Sequence, residues 1–390
     1  IVLLTKRIKK INLKKRDICL SFFIFTKKIN MKLFNYFIIL SFIFSACSES
    51  EVVTPVLDED YGEGMYIITD MGVSFYNYQD SIPEVISQIF KKVNNISIAN
   101  AKKIKFRDSK AYILGDNHII TANINTFEDK GMVNGFINPV DFDFVSNNRL
   151  FVVDKDDSKV KVVDLERMEI TSDIETGDNT KPVFILSKWY RSYVMNGGAI
   201  TDSLKDSTII AIDYKDNLVP LADIMGSLYI GDNPNSAVNL NNLKVLCRGV
   251  YDPNNIATQT QSTLVTINPW DVNITANTTL TGIYNASNLI TNNEDTEYYF
   301  LAEGGFYKMN SNGSGVSRLN SMKSDILYYR DEVYSQYSIT DSVTYYYDRD
   351  VLYINDSQNS PNTIYKYNLN SNTFFDTIVV EGTVKNINFY

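Results

Sequence analysis

One repeating pattern constrains this 390-residue chain more than any other feature. It is clearest over residues 139–177. Residues 150–153 (LFVV) are apolar and mostly β-branched or aromatic, and residues 155–158 (KDDS) make a charged turn. Residues 159–164 (KVKVVD) alternate, with Val160 and Val162 on one face and Lys159 and Lys161 on the other. Residues 169–175 read as a third strand with Ile170 and Ile174 inward, and residues 139–144 (PVDFDF) put Val140, Phe142 and Phe144 on one face of a fourth. Alternation of period two, broken by Asp, Ser and Gly, marks strands joined by hairpins. Four such strands in about 40 residues are one blade of a β-propeller.

The rest of residues 65–390 divides into variations on this unit, seven in all at about 47 residues each. Residues 65–70 and 73–78 form a hairpin turning at Met71-Gly72, and 82–93 are spaced more like a helix than a strand. Blade two takes 104–106, 111–114, 119–124 and 132–137. Blade four starts at Pro182, carries an insert over 196–206, and ends with 207–213 and 218–224. Blade five starts near Pro234, with strands at 243–246 and 262–268 around a second insert, 248–261. Blade six takes 297–302, 306–310 and 316–319, and blade seven takes 343–347, 351–355, 363–368 and 374–380. The first unit lacks an inner strand, and the chain ends on VKNINFY with Val384, Ile387 and Phe389 apolar. This tail is expected to supply the missing strand, closing the ring and removing an open sheet edge. The predicted fold is an all-β, seven-bladed propeller of four-stranded antiparallel blades.

Charge separates the ends from the body. The chain has 37 basic and 46 acidic residues; ten of the bases and one acid lie in residues 1–32, which leaves a net charge of −18 over 48–390. So acidic a body repels phosphate backbones, and no nucleic-acid partner is expected. Residues 1–30, which begin with Ile and lack pattern, are expected to be translated upstream sequence absent from the native protein. From Met31 the chain reads as a secretory signal through residue 46: a basic start at Lys32, then the apolar run 33–44. Residues 44–47 (FSAC) resemble a bacterial lipobox, with Phe44 in place of the usual Leu. That resemblance implies cleavage before Cys47 and acylation of its thiol, and two or three chains at about 0.8 kcal/mol per buried methylene give a stable bilayer anchor. Residues 47–64 are then a lipidated Cys and acidic tether, similar to surface-export signals of Gram-negative lipoproteins. The expected location is the outer membrane, facing outward.

Residues 150–154 (LFVVD) and 352–356 (LYIND) resemble the Tyr-Val-Thr-Asn strand of YncE-like, surface-layer-type seven-bladed propellers, with Val162-Val163-Asp164 and Thr176-Gly177 matching the strand and turn that follow it. Residues 352–382 are similar to the last blade of lipoprotein propellers encoded beside TonB-dependent transporters. The resemblance implies the same fold and an accessory role in uptake. Some relatives bind cobalamin, through no short motif that transfers to residues here.

Candidate sites follow from the blade register. Loops between second and third strands rise on the same face as the links between blades, around the central channel. Inserts of 11 and 14 residues there are costly unless used. The register places Asn196, Asp232, Asn233, Arg248 and Tyr251 on that face as candidate ligand-binding residues, with the Arg248 fork suited to an anionic or amide-rich ligand. Asp154, Asp156, Asp157 and Ser158 crowd one turn that could hold calcium, although a solvated acidic turn is the commoner use of such a cluster. The single His118 rules out a multi-His metal site and reads as an ordinary strand or turn residue. Trp270 reads as turn packing, and Trp189-Tyr190-Arg191 falls on the face opposite the expected mouth. Four Asp-Ser/Thr-apolar triplets, beginning at Asp80, Asp202, Asp341 and Asp376, resemble an O-glycosylation sequon. The function expected is non-catalytic capture of a small nutrient or docking on a transporter. The alternatives are a metal-dependent, lactonase-like hydrolase, for which Asp141 and Asp143 are the inner-strand acids, and an adhesion scaffold.

Overall fold

A sheet apolar on both faces must bury both, and packing such sheets face to face in a closed ring achieves this. The computed structural model describes residues 60–390 apart from 79–82, 99, 178, 199–205, 216–221, 339 and 341–342. It contains seven four-stranded antiparallel sheets. Blade 3 shows the logic. Its second strand, Arg149–Asp154, is buried nearly throughout. Leu150 and Val152 pack with Tyr112 and Leu114 of blade 2, while Phe151 and Val153 pack with Val194 and Ile210 of blade 4. Seven apolar clusters of this kind, one in each gap between neighbouring blades, form the core of the described residues. Among those residues no helix is long and apolar enough to cross a membrane.

The ring closes as the sequence predicts. The C-terminal strand Val384–Phe389 pairs with Met65–Thr69, opposing Met65 with Phe389 and Ile67 with Ile387. Gly64 and Tyr390 exchange backbone hydrogen bonds of 3.3 and 3.1 Å, so the propeller's two ends lie side by side in blade 1. Two faces follow from the strand directions. One, the mouth, carries the loops between second and third strands and the links between blades. The other, the underside, carries the remaining turns and both ends of the ring.

Inner strands hook onto their neighbours. Asn388 of blade 1 donates to the Ile104 carbonyl of blade 2, and Lys105 of blade 2 to the Phe142 carbonyl of blade 3. Asp141 and Asp143 of blade 3 accept the backbone N–H groups of Ile185 (3.1 Å) and Ser187 (2.6 Å) in blade 4. Lys188 of blade 4 donates to the Asn239 carbonyl of blade 5, and the Ser236 hydroxyl of blade 5 accepts from Leu289 of blade 6.

Several strands differ from their sequence reading, for local reasons. Bulges between Pro139 and Asp141 and between Val162 and Val163 break the alternation. Val140 therefore faces blade 4 while Phe142 and Phe144 face blade 2, and Ile170 and Ile174 point to opposite gaps. Residues 82–93 yield a two-residue strand, Val85–Ile86, and a short helix, Ile89–Asn94, whose Ile89 and Phe90 are buried. Residues 343–347 and 351–355 belong to one strand, Val343–Asp356, paired with Leu327–Ser338. The inner strands of blades 6 and 7 (Ser287–Thr291 and Leu327–Ser338) and the outer strand of blade 5 (Asn273–Thr279) carry no apolar alternation to betray them. The fourth strands of blades 2 and 4 lie at Asp129–Asn134 and Ala222–Tyr229, displaced from 132–137 and 218–224. Of the four sequon-like triplets, only the one at Asp376 lies wholly within described residues; it sits in the outer strand of blade 7. The triplets beginning at Asp80, Asp202 and Asp341, and Cys47 with its signal and tether through residue 59, fall at least partly outside the described residues.

Candidate functional site

The blade 5 insert is a pinned loop that shapes the mouth. It leaves the strand Leu243–Cys247 through Arg248 and Gly249. Gly249 has φ +76°, and a Cβ there would stand 2.3 Å from the Thr260 carbonyl oxygen, so only glycine fits this crossing. Val250 bridges Thr260, the Ser262 hydroxyl donates to the Arg248 carbonyl (2.7 Å), and a 3-10 turn spans Ile256–Thr258. The blade 4 to 5 link lies alongside. Asn233 and Asp232 carbonyls accept the N–H groups of Arg248 (2.9 Å) and Gly249 (3.0 Å), and the Asn233 amide returns a bond to the Gly249 carbonyl.

Two clefts flank this loop. One, of about 430 Å³, has Tyr229, Asp232, Thr260, Thr263 and Asn277 in its wall. The Asp232 carboxylate accepts from Thr260 (2.9 Å) and Ser207 (3.2 Å). The other, of about 480 Å³, is lined by Tyr251, Ile256, Tyr284, Tyr307 and Glu303, with the Tyr251 and Tyr284 rings 6.3 Å apart. Both volumes suit small organic ligands. Glu303 is paired with Lys323. At the start of the loop the Arg248 guanidinium has no hydrogen bond or carboxylate partner among the described residues, and its Nε is buried and unpartnered. Burial pushes its pKa down.

The structure thus draws together four of the five residues read from the sequence. Asp232 and Tyr251 line clefts, and Arg248 and Asn233 are joined by a backbone hydrogen bond where the loop begins. Asn196 does not join them: it is fully buried and donates to the Thr176 carbonyl and the Thr208 hydroxyl. Tyr284, Tyr307 and Glu303 have no sequence signal of this kind, because they lie outside the long inserts. Tyr284 lies in a blade-to-blade link, Glu303 in a short second-to-third turn and Tyr307 near the start of the strand after it, which the same register places on the mouth. A third hollow, about 600 Å³, lies beside the helix at Gln88, Lys91 and Lys92 and had no sequence signal.

Other candidates have defined surroundings. Asp154 accepts the N–H groups of Ile137 and Asn138, Asp156 pairs with Lys181, Asp157 with Lys161, and the Ser158 hydroxyl donates to the Thr180 carbonyl. Among the described residues no three His, Cys, Asp or Glu side chains are grouped to hold a metal. Asp141 is fully buried and 2.8 Å from Lys103, with Lys105 at 3.7 Å from it and 3.3 Å from Asp143. Burial alone would raise the Asp141 pKa; the two lysines outweigh it and hold the carboxyl below its usual range. His118 packs over Gly115. Cys247 is buried, which pushes its thiol up to about 12 and leaves it inert. Trp189 and Trp270 lie on the underside.

No family model matches this chain, and no curated protein matches it. Solved structures do. It is similar to a quinoprotein alcohol dehydrogenase-like protein from Bacteroides thetaiotaomicron, with TM-score 0.59 and 12% identity over 85% of this chain and 79% of that one. It is similar also to a 6-phosphogluconolactonase-like protein from Bacteroides uniformis, with TM-score 0.59 and 10% identity over 85% and 100%. A second 6-phosphogluconolactonase-like protein, from Bacteroides fragilis, gives 0.52 and 9% over 85% and 98%. At these identities the likeness establishes the propeller fold alone.

Proposed function

We propose that this is a non-catalytic, ligand-binding propeller of the cell envelope, akin to the YncE-like lipoproteins. It is anchored through acylated Cys47 at the outer membrane and serves a TonB-dependent transporter. Its ligand is a small anionic or amide-rich nutrient, held at the mouth between blades 4 and 6. The observation that carries this reading is Arg248: a partly buried guanidinium with no acid to neutralise it among the described residues, at the start of the loop whose later residues line two clefts of ligand size. A cation in that state is unfavourable unless a ligand completes it. The hydrolase alternative rests on fold likeness, and the inner-strand acids it would draw on, Asp141 and Asp143, are held by Lys103, Lys105 and the backbone of blade 4.

The test is native mass spectrometry of the protein after exposure to a mixture of corrinoids, sugars and haem. A retained small molecule that is lost in Arg248→Met supports capture at the mouth. A bare protein sinks the capture reading and leaves partner docking.

A further inference from the structure

The underside carries a second built feature, separate from the mouth. The two tryptophans of the chain come from different blades, Trp189 from the first turn of blade 4 and Trp270 from the last turn of blade 5. Their rings stack with centroids 5.0 Å apart and planes 17° from parallel. Both are exposed, at 60% and 58%. A stacked indole pair left in water is an unusual use of the largest apolar side chain.

The pair is held rigid from beneath. Arg191, paired with Asp213, donates to the carbonyls of Pro269 (2.7 Å) and Trp270 (2.9 Å), and the Tyr193 hydroxyl donates to the Pro269 carbonyl (2.7 Å). Trp189 itself has φ +59°, a left-handed conformation that bulky side chains rarely adopt. Strain of this kind persists where surrounding contacts enforce it, and it gathers at functional sites.

Beside the stack is a crevice of about 10 Å³, room for one hydroxyl or water, whose lining includes Asn239 together with both tryptophans. Asn239 is 9% exposed, and neither its amide nitrogen nor its amide oxygen has a hydrogen-bond partner. Buried amides are rarely left so, and each such group calls for an explanation. The cations nearby are already engaged: Lys188 donates to the carbonyls of Asn239 and Leu240 and lies 4.7 Å over the Trp189 ring, and Arg191 is held by Asp213. Trp270 has no ring partner besides Trp189 among the described residues.

We infer that the Trp189–Trp270 platform is a binding site for a neutral carbohydrate. The apolar C–H face of a pyranose ring lies against the Trp270 indole. One hydroxyl enters the crevice, where the Asn239 amide offers it both a donor and an acceptor. An anionic ligand would find no free cation here, and an apolar side chain would leave the Asn239 amide unsatisfied.

Because the platform holds every tryptophan in the chain, tryptophan fluorescence reports on this site alone. The experiment is titration of the full-length protein with maltotetraose, cellotetraose, xylotetraose, mannotetraose and chitotetraose, up to about 10 mM, the range of weak single-site binding. At least one sugar is expected to give a saturable change in emission. Asn239→Leu should weaken that binding about tenfold, the effect of losing one to two hydrogen bonds. Trp270→Ala should remove the response, read from the remaining Trp189. Trp189→Gly, which relieves the positive φ, provides a folded control whose circular dichroism matches the parent. The inference is overturned if none of these sugars changes the emission, if Asn239→Leu binds like the parent, or if an unstructured peptide gives the response and the sugars do not.

Discussion

Blades 3 and 5 have the same four-stranded plan and treat their polar groups differently. In blade 3 nearly every buried polar group has a structural partner. Asp141 and Asp143 clamp blade 4, Asp154 caps the start of its own blade, and Asp164 is paired with Arg149. In blade 5 and its lead-in, Asn233, Asn239 and Arg248 each keep a buried polar atom with no partner. Burial without a partner is costly, and a propeller blade has no need of it for packing. Blade 3 uses its buried polar groups to hold the ring, and blade 5 with its lead-in leaves Asn233 and Arg248 at the mouth and Asn239 on the underside without a full set of partners among the described residues.

Four measurements would break or sharpen this contrast. The largest effect should come from truncation after Thr383, which removes Val384 and Ile387 from the blade 7 to 1 cluster together with a ladder of backbone bonds, a loss of about 5 kcal/mol or more. Calorimetry should show the cooperative transition lowered sharply or lost. An unchanged transition would mean that the ring is not closed by this strand.

Next is Asp141→Asn, which leaves Lys103 without its carboxylate. Breaking a buried pair in this way costs about 3–5 kcal/mol, or a Tm lower by about 5–10 °C. The same carboxyl gives a pH signature. Its folded pKa is depressed below that of an unfolded aspartate, about 3.9. Its contribution is therefore complete above that value and fades as pH falls through the lower, folded one. Stability in acid should decline more gently in Asp141→Asn than in the parent over that range.

A smaller effect of opposite sign is expected from Arg248→Met. Replacing an unpaired, partly buried cation with an apolar chain should leave stability unchanged or raise it by about 1 kcal/mol, measured by denaturant unfolding. A loss comparable to Asp141→Asn would show that Arg248 is structural and would remove the contrast. The smallest shift belongs to Asn239→Leu. An unpartnered buried amide replaced by a side chain of similar size should give a Tm equal to the parent's or up to about 2 °C higher.

The ring was legible in the sequence because its inner two or three strands per blade are packed on both faces. Residues 150–154 and 159–164 can be placed by eye for that reason. Legibility failed where packing stops dictating residue type. The outer strand Asn273–Thr279 is almost wholly exposed, so its composition carries no period. In Leu327–Ser338, charged and tyrosine side chains serve local pairs, Glu332 with Arg349 and Lys366, that mask any alternation. Bulges defeated the face assignments at Val140 and Ile170, because one extra residue reverses every side chain beyond it. Loop length marks the mouth in the sequence, and it marks Tyr251, in a long insert, but not Tyr284, in a short link. The tryptophan pair was out of reach for another reason. Residues 189 and 270 are far apart in the chain, and their meeting depends on two adjacent blades presenting different turns on one face.

The side-by-side placement of Gly64 and Tyr390 also decides how the molecule bears force. The strand Met65–Thr69 lies between the closing strand and Gly72–Tyr76, with five cross-strand pairs on each side. A pull transmitted through the residues before Gly64 runs along this strand. It must shear both ladders at once, where a strand at a sheet margin would peel away one bond at a time. The seam that completes the ring is also the part of the molecule best placed to resist being pulled apart from its N-terminal side.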